Sequence, residues 1–217
     1  MPDGTLIIIT LFIAYFVIHS LTASLWLKQW VAMRHPALVP YYRLLFNALS
    51  LLLAIPLVVV VLLYPGEPLW QWHGIGFYVA NGLALLAVIA FFYSLKMYDM
   101  AEFWGMRQLQ ERVKEVKDME QFKISVFHRF VRHPWYTMIL VIIWSRDMST
   151  SQLLTYSLVT LYLVIGSMME ERKLIAYHGE VYRRYRQQVP GLVPLPWRYL
   201  NRAEAEQLLA QQSQQMP

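Results

Sequence analysis

Two polar clusters interrupt a chain otherwise made of apolar runs. Arg132, His133 and Tyr136 lie in FVRHPWYTMILVIIW, residues 130–144, and Glu170 and Glu171 open the second cluster in MMEERKLIAYHGEVYRRYRQQVP, residues 168–190. The set offers one permanent cation, one imidazole, one phenol and two carboxylates. A carboxylate there could accept bonds from the ribose hydroxyls or the amine of a ligand. It could equally pair with Arg172 or Lys173 as an ordinary surface salt bridge. Tyr182 and Tyr185 share a helix face, and could wall a pocket or lie as an interfacial belt. The apolar stretch between the clusters reads as an out-and-back hairpin. It returns the chain to the side it left, so the two clusters can meet.

Pro134 is the oddity of the first cluster. Inside a helix it would remove a hydrogen bond and disfavour helical geometry at His133. Backbone groups freed at membrane depth would then need protein, water or ligand partners. The alternative is an ordinary helix start, with Pro134 in the first turn and Arg132 on lipid phosphates. A second Arg-His-Pro, Arg34-His35-Pro36, sits in a short loop with no acidic pair at hairpin distance downstream. The tripeptide alone therefore carries little. Arg-His-Pro-x-Tyr entering a hairpin that ends in Glu-Glu carries much more.

The elements that would position these residues are membrane helices. Of 217 residues, 57% are hydrophobic and only 15% charged, and the apolar residues are bunched in long runs. With no cysteine, the chain has no disulfide framework, no Cys-ligated metal and no Cys nucleophile; no metal site is expected. The net charge of +5 comes from basic residues beside apolar runs, which fits membrane lipids and orientation signals rather than nucleic acid.

Five spans are expected, at about 6–26, 44–64, 74–95, 124–144 (interrupted by Pro134) and 153–169. The fold class is thus an all-α polytopic integral membrane protein, with spans four and five as a broken-helix hairpin and a helical cytoplasmic segment after them. In the first span, His19 and Ser20 could line a cavity or bond a neighbouring helix. Gly and Ala in the third allow close helix approach. Residues 107–123 carry alternating charges and read as a solvated linker or surface helix. The organisation expected is one membrane-embedded domain over 1–202 and a disordered Gln-rich tail over 203–217. The positive-inside rule puts the amino end outside and the carboxyl end in the cytoplasm, since loops 27–43, 96–132 and 170–202 hold nearly every Lys and Arg.

The ordered set Arg132-His133-Pro134-x-Tyr136, Trp144, Glu170-Glu171-x-x-Leu174 and Gly179-x-x-Tyr182-x-x-Tyr185 through Val189-Pro190 resembles the isoprenylcysteine carboxyl methyltransferase superfamily, over about residues 125–196. More of the chain is similar to its bacterial methanethiol S-methyltransferase-like branch. His19-Ser20-Leu21-x-Ala23-Ser24, Tyr42-Arg43 and Asp99-Met-Ala-Glu102-Phe-Trp-Gly105-Met-Arg107-Gln108 carry that likeness. The resemblance implies a membrane methyltransferase using S-adenosyl-L-methionine, in the bacterial inner membrane. Its cofactor would be held by His133, Pro134, Tyr136, Trp144, Glu170, Glu171, Tyr182 and Tyr185. Arg132 would favour a thiolate acceptor, and Asp99 or Glu102 would take its proton. The sequence departs from the prenylcysteine enzymes where Gly166, Ser167, Met168 and Met169 stand in place of substrate-handling arginines. That favours a small thiol over a carboxylate acceptor. It also has Thr137-Met138 where Gly is commoner. A carboxyl or amine methyltransferase on a lipid-like acceptor, and a non-catalytic accessory protein keeping the fold, are the alternatives.

Overall fold

The computed structural model describes residues 2–113 and 122–215, so the part 114–121 of the charged stretch 107–123 lies outside the described residues. Among the described residues, four helices are long and apolar enough to cross a bilayer. They are α1 (Pro2–Ala23), α3 (Tyr42–Leu63, entered through a 3-10 turn Pro36–Tyr41), α4 (Gly74–Leu95) and α8 (Thr150–Gln188). A shorter apolar helix, α7, runs from Pro134 to Trp144. The exposure pattern is that of a protein dissolved in lipid. Leu62 on α3 is 72% exposed and Ile75 on α4 is 82% exposed, positions that water would penalise. The protein is an all-α polytopic membrane protein.

The chain divides into two compact units. One comprises Met1–Gln71, Tyr98–Asp118 and Asp147–Leu158. Within it Ser24 ends α1 and caps the next helix, α2 (Leu25–Arg34), by accepting from Leu27 N–H at 3.3 Å. His19 Nδ1 meets Ser50 Oγ at 3.0 Å, so its role is the bond between α1 and α3. Two short helices, α5 (Met100–Trp104) and α6 (Met106–Gln110), turn about Gly105. Gly105 has φ 89°, and a Cβ there would come within 2.7 Å of Leu44 N; only glycine fits that approach. Two short strands, β1 (Pro68–Trp70) and β2 (Met148–Ser149), pair antiparallel. The two loops expected outside, 64–73 and 145–152, are thereby joined.

The other unit comprises Trp72–Met97, Met119–Arg146 and Val159–Pro217. Ala80, Ala84 and Ala87 are buried on α4, which packs on α7. Small side chains there permit close approach. Trp135 Nε1 donates to Ser94 Oγ at 2.7 Å. The fourth run proves shorter than its apolar length. Helix covers only 134–144, about 16 Å at 1.5 Å per residue against ~30 Å of hydrocarbon. Pro134 disfavours helix at His133, which has φ −122° and ψ 70°. The N–H groups of Arg132 and His133 are instead taken by Pro190 O at 2.9 Å and Gly191 O at 3.1 Å. Pro134 is the first residue of α7, the ordinary helix start.

α8 breaks at Gly179, φ 52°; the part before the break, 150–178, is about 44 Å long at 1.5 Å per residue, enough to leave the bilayer. The tail is helical rather than disordered as far as Gln215, forming α9 (Arg202–Gln215). Asn201 and Glu204 cap its start reciprocally, at 2.9 and 2.7 Å. Ala205 and Leu208 then join a core of Phe122, Val181, Tyr182, Tyr185, Val189 and Leu200. The apolar residues at 205, 208 and 209 follow helical spacing, which the glutamines around them obscured.

Candidate functional site

The site is built on the start of α7, the middle of α8 and the strap 186–192, all in one unit. Glu171 is its centre, and its side chain is 8% exposed. One carboxylate oxygen, Oε1, accepts from Arg132 Nε at 2.9 Å, Arg132 Nη2 at 2.7 Å and His133 Nε2 at 3.1 Å. The other, Oε2, faces Arg186 Nε at 3.0 Å. Arg132 spends its remaining donors on backbone: Nη1 donates to Arg186 O at 3.0 Å and to Val189 O. Gly191 lies against the same guanidinium, and a Cβ there would sit 3.3 Å from Nη2. Thr137 Oγ1 donates to Leu192 O at 2.6 Å, fastening the strap to α7.

Glu170 is differently placed. Its side chain is 34% exposed. His133 Nδ1 lies 3.3 Å from its Oε2, and Tyr136 Oη 3.5 Å away. An ionised carboxylate has about four lone-pair positions, so these two long contacts leave Glu170 with capacity that Glu171 has used. His133 is stacked on Tyr136, ring centroids 5.4 Å apart and planes 12° apart. Burial alone would lower the His133 pKa. Hydrogen bonds to Glu170 and Glu171 outweigh that and raise it above its ordinary value. Nearby, burial and the charge of His133 push His128 down to about 4.

The structure thus brings together Arg132, His133, Tyr136, Glu170 and Glu171. The other candidates make contacts of their own. Trp144 stands at the opposite end of α7 from His133 and donates to Thr160 Oγ1 at 3.0 Å. Tyr182 and Tyr185 are buried in the core, each 2% exposed, and Tyr182 lies near enough to feel the charges of Glu171 and Arg132. Tyr185 Oη donates to His128 O at 2.6 Å. Arg132 points into Glu171, not toward an open position where an anion could form. Asp99 and Glu102 lie in the other unit. Asp99 caps α5 by accepting from Glu102 N–H at 3.0 Å, and it pairs with Arg107. Those contacts hold its carboxyl below the usual range. In that unit Arg43 Nε and Asn47 Nδ2 both donate to Phe103 O, at 3.2 and 2.9 Å. The block 99–108 is thereby docked on the start of α3.

Sequence reasoning missed Arg186, Thr137 and Gly191. Their partners are backbone carbonyls or a carboxylate some fifteen to sixty residues away, and no local pattern announces such bonds. Only the glycine after Val189-Pro190 gave a hint, as a residue that allows close approach.

No family model matches the chain, and no solved structure matches it. Curated relatives do. A methanethiol S-methyltransferase of Crocosphaera subtropica is 31% identical over 193 residues, 81% of this chain and 69% of that protein. The enzyme of the same name from Pseudomonas deceptionensis is 28% identical over 207 residues, 89% of this chain and 74% of its own length. That of Mycobacterium tuberculosis is 28% identical over 214 residues, 91% of this chain and 82% of its own. The chain belongs to the methanethiol S-methyltransferase family, and it is an enzyme that transfers methyl groups.

Proposed function

We propose that this enzyme moves a methyl group from S-adenosyl-L-methionine to a small thiol, methanethiol being the first to try. The observation that carries the reading is the contrast within the acidic pair. Glu171 is saturated by Arg132, His133 and Arg186, whereas Glu170 is partly exposed and under-used. A carboxylate with spare lone pairs, held beside a fixed imidazolium, suits ribose hydroxyls or an ammonium group. When bound, S-adenosyl-L-methionine supplies a methyl on a sulfonium sulfur, open to attack by a thiolate.

The residues' own work is placement. Arg132 fixes Glu171, Glu171 and Glu170 fix His133, and His133 fixes Tyr136 by stacking. Such a frame serves alignment of sulfur, methyl and leaving sulfur, and the exclusion of water. The acceptor must lose its proton first, because the thiolate is the nucleophile. The stretch Gly166-Ser167-Met168-Met169 ahead of the acidic pair offers no cation for a substrate carboxylate, which favours the thiol over the carboxyl reading.

The test is to incubate the purified full chain with methyl-labelled S-adenosyl-L-methionine and a panel of thiols, carboxylates and amines. Label should appear in a methyl thioether. Label found only in esters or methylamines would overturn the thiol assignment.

The proposed setting is the bacterial inner membrane, amino end outside and carboxyl end in the cytoplasm. The distribution of Lys and Arg supports it, as does the pairing of the two expected outer loops through β1 and β2. Reporters fused after Pro217 and placed near Gln152 should read cytoplasmic and external. Both on one side would refute it.

A further inference from the structure

After the site the chain makes a tight turn, Leu195–Arg198, in which Arg198 N–H donates to Leu195 O at 3.0 Å. Pro196 and Trp197 are its central residues, and proline pre-sets the backbone for that first position. The turn projects outward. Trp197 is 75% exposed and Val193 66% exposed. Tyr199, also exposed, stacks on exposed Phe130, centroids 5.9 Å apart and planes 20° apart.

The projection is held rigidly. Arg198 Nη2 donates to Gln187 O at 2.6 Å and Arg186 O at 3.3 Å. Arg129 Nε donates to Leu200 O, and Leu200 N–H donates to Arg129 O, both at 2.9 Å. A fixed cluster of large apolar side chains turned away from the core marks an interaction surface.

What meets that surface follows from Phe130. Four residues later Pro134 opens the apolar helix α7, so Phe130 and the ring stacked on it stand where the chain enters the membrane. Tryptophan and tyrosine are enriched at that level. Arg184 and Arg198 line a groove with Trp197 and Tyr199, in company with Glu204, and Arg129 lies over the Phe130 ring; guanidiniums at that edge suit lipid phosphates.

We propose that the segment 193–199, together with Phe130, dips into the headgroup–acyl boundary of the leaflet where α7 begins. It is a monotopic foot beside the spans, and its occupant is the phospholipid surface itself. The proposal rests on the membrane fold and is independent of the cofactor reading.

The absence of cysteine makes a clean test available. Single substitutions Val193→Cys and Trp197→Cys in the full chain, spin-labelled and reconstituted in phosphatidylcholine–phosphatidylglycerol nanodiscs, report depth from collisions with oxygen and with a water-soluble nickel chelate. Leu86→Cys on α4 and Ala210→Cys on α9 give the lipid and polar references. Labels at 193 and 197 should lie about 5–10 Å below the headgroup level, between the two references. Nickel accessibility equal to that at Ala210→Cys would overturn the proposal. So would spin–spin broadening that vanishes on dilution with unlabelled chain, since a second copy would then cover this face.

Discussion

Arg-His-Pro occurs twice, and the backbone treats both copies almost alike. His35 has φ −137° and ψ 62°, and His133 has φ −122° and ψ 70°. In each copy the proline is the first residue of a helical turn, a 3-10 turn at Pro36 and α7 at Pro134. The side chains diverge completely. His35 is exposed and leans edge-on to Trp30 at 5.8 Å. His133 is buried, with a carboxylate on each ring nitrogen. The tripeptide is thus a helix-entry device, and the chemistry comes from what the rest of the chain brings against it.

The largest difference should appear on removing the arginines. Arg132→Ala leaves Glu171 buried without its principal partner, and breaking one side of a buried pair costs about 3–5 kcal/mol. Arg34→Ala, at an exposed position, should stay within ~0.5 kcal/mol. Unfolding of both variants in detergent measures this, and equal losses would erase the distinction between the copies. Next in size is the histidine itself. His133→Ala should weaken S-adenosyl-L-methionine binding by more than ~10-fold, the loss of a charge-assisted bond, with His35→Ala unchanged in the same titration.

The acidic pair sharpens the comparison further. Glu170→Gln should lower cofactor affinity by ~1.5–3 kcal/mol, roughly 10- to 150-fold, while the protein stays folded. Glu171→Gln should act mainly on stability, because its oxygens face protein donors. Parent-like binding in both would mean the pair is only a salt-bridged helix segment.

The smallest effect is a pH dependence. Protonated His133 is stabilised by Glu170 and Glu171, so its pKa lies above the ordinary 6.5. Its contribution is fully present below about pH 6.5 and is lost as pH rises through the raised value. Stability followed from pH 6 to 9 should decline in the parent and be flatter in His133→Gln. A parent curve as flat as the variant's would remove the imidazolium from the site.

Much of this was legible in the chain. The apolar runs marked the spans because a bilayer demands about 20 such residues, and α4 falls on Gly74–Leu95 as the run does. The five site residues that meet are those at the two feet of the hairpin. The roles inside the cluster were not legible. Arg132 reads as a free cation until its partners, Glu171 and two carbonyls beyond it, are known. Tyr182 and Tyr185 read as pocket walls because spacing reports a shared face without saying what it faces. The half-length of α7 was hidden for a similar reason. Apolar residues continue back to Ile124, but the backbone at 132–133 bonds to the strap instead of continuing the helix.

That strap has a consequence for how the protein is made. Arg132 reaches carbonyls 54 and 57 residues downstream, and Thr137 one that is 55 downstream. When α7 first enters the membrane, these partners have not been synthesised. At 5–20 residues per second the interval is roughly 3–11 s, during which water or headgroups must serve the waiting donors. The spans can therefore insert in order, but the cluster around Glu171 receives its last backbone partners only when residues 186–192 arrive. A chain stopped just before Arg186 should insert its spans with both polar clusters made and the strap-facing donors of Arg132, His133 and Thr137 still unserved by protein.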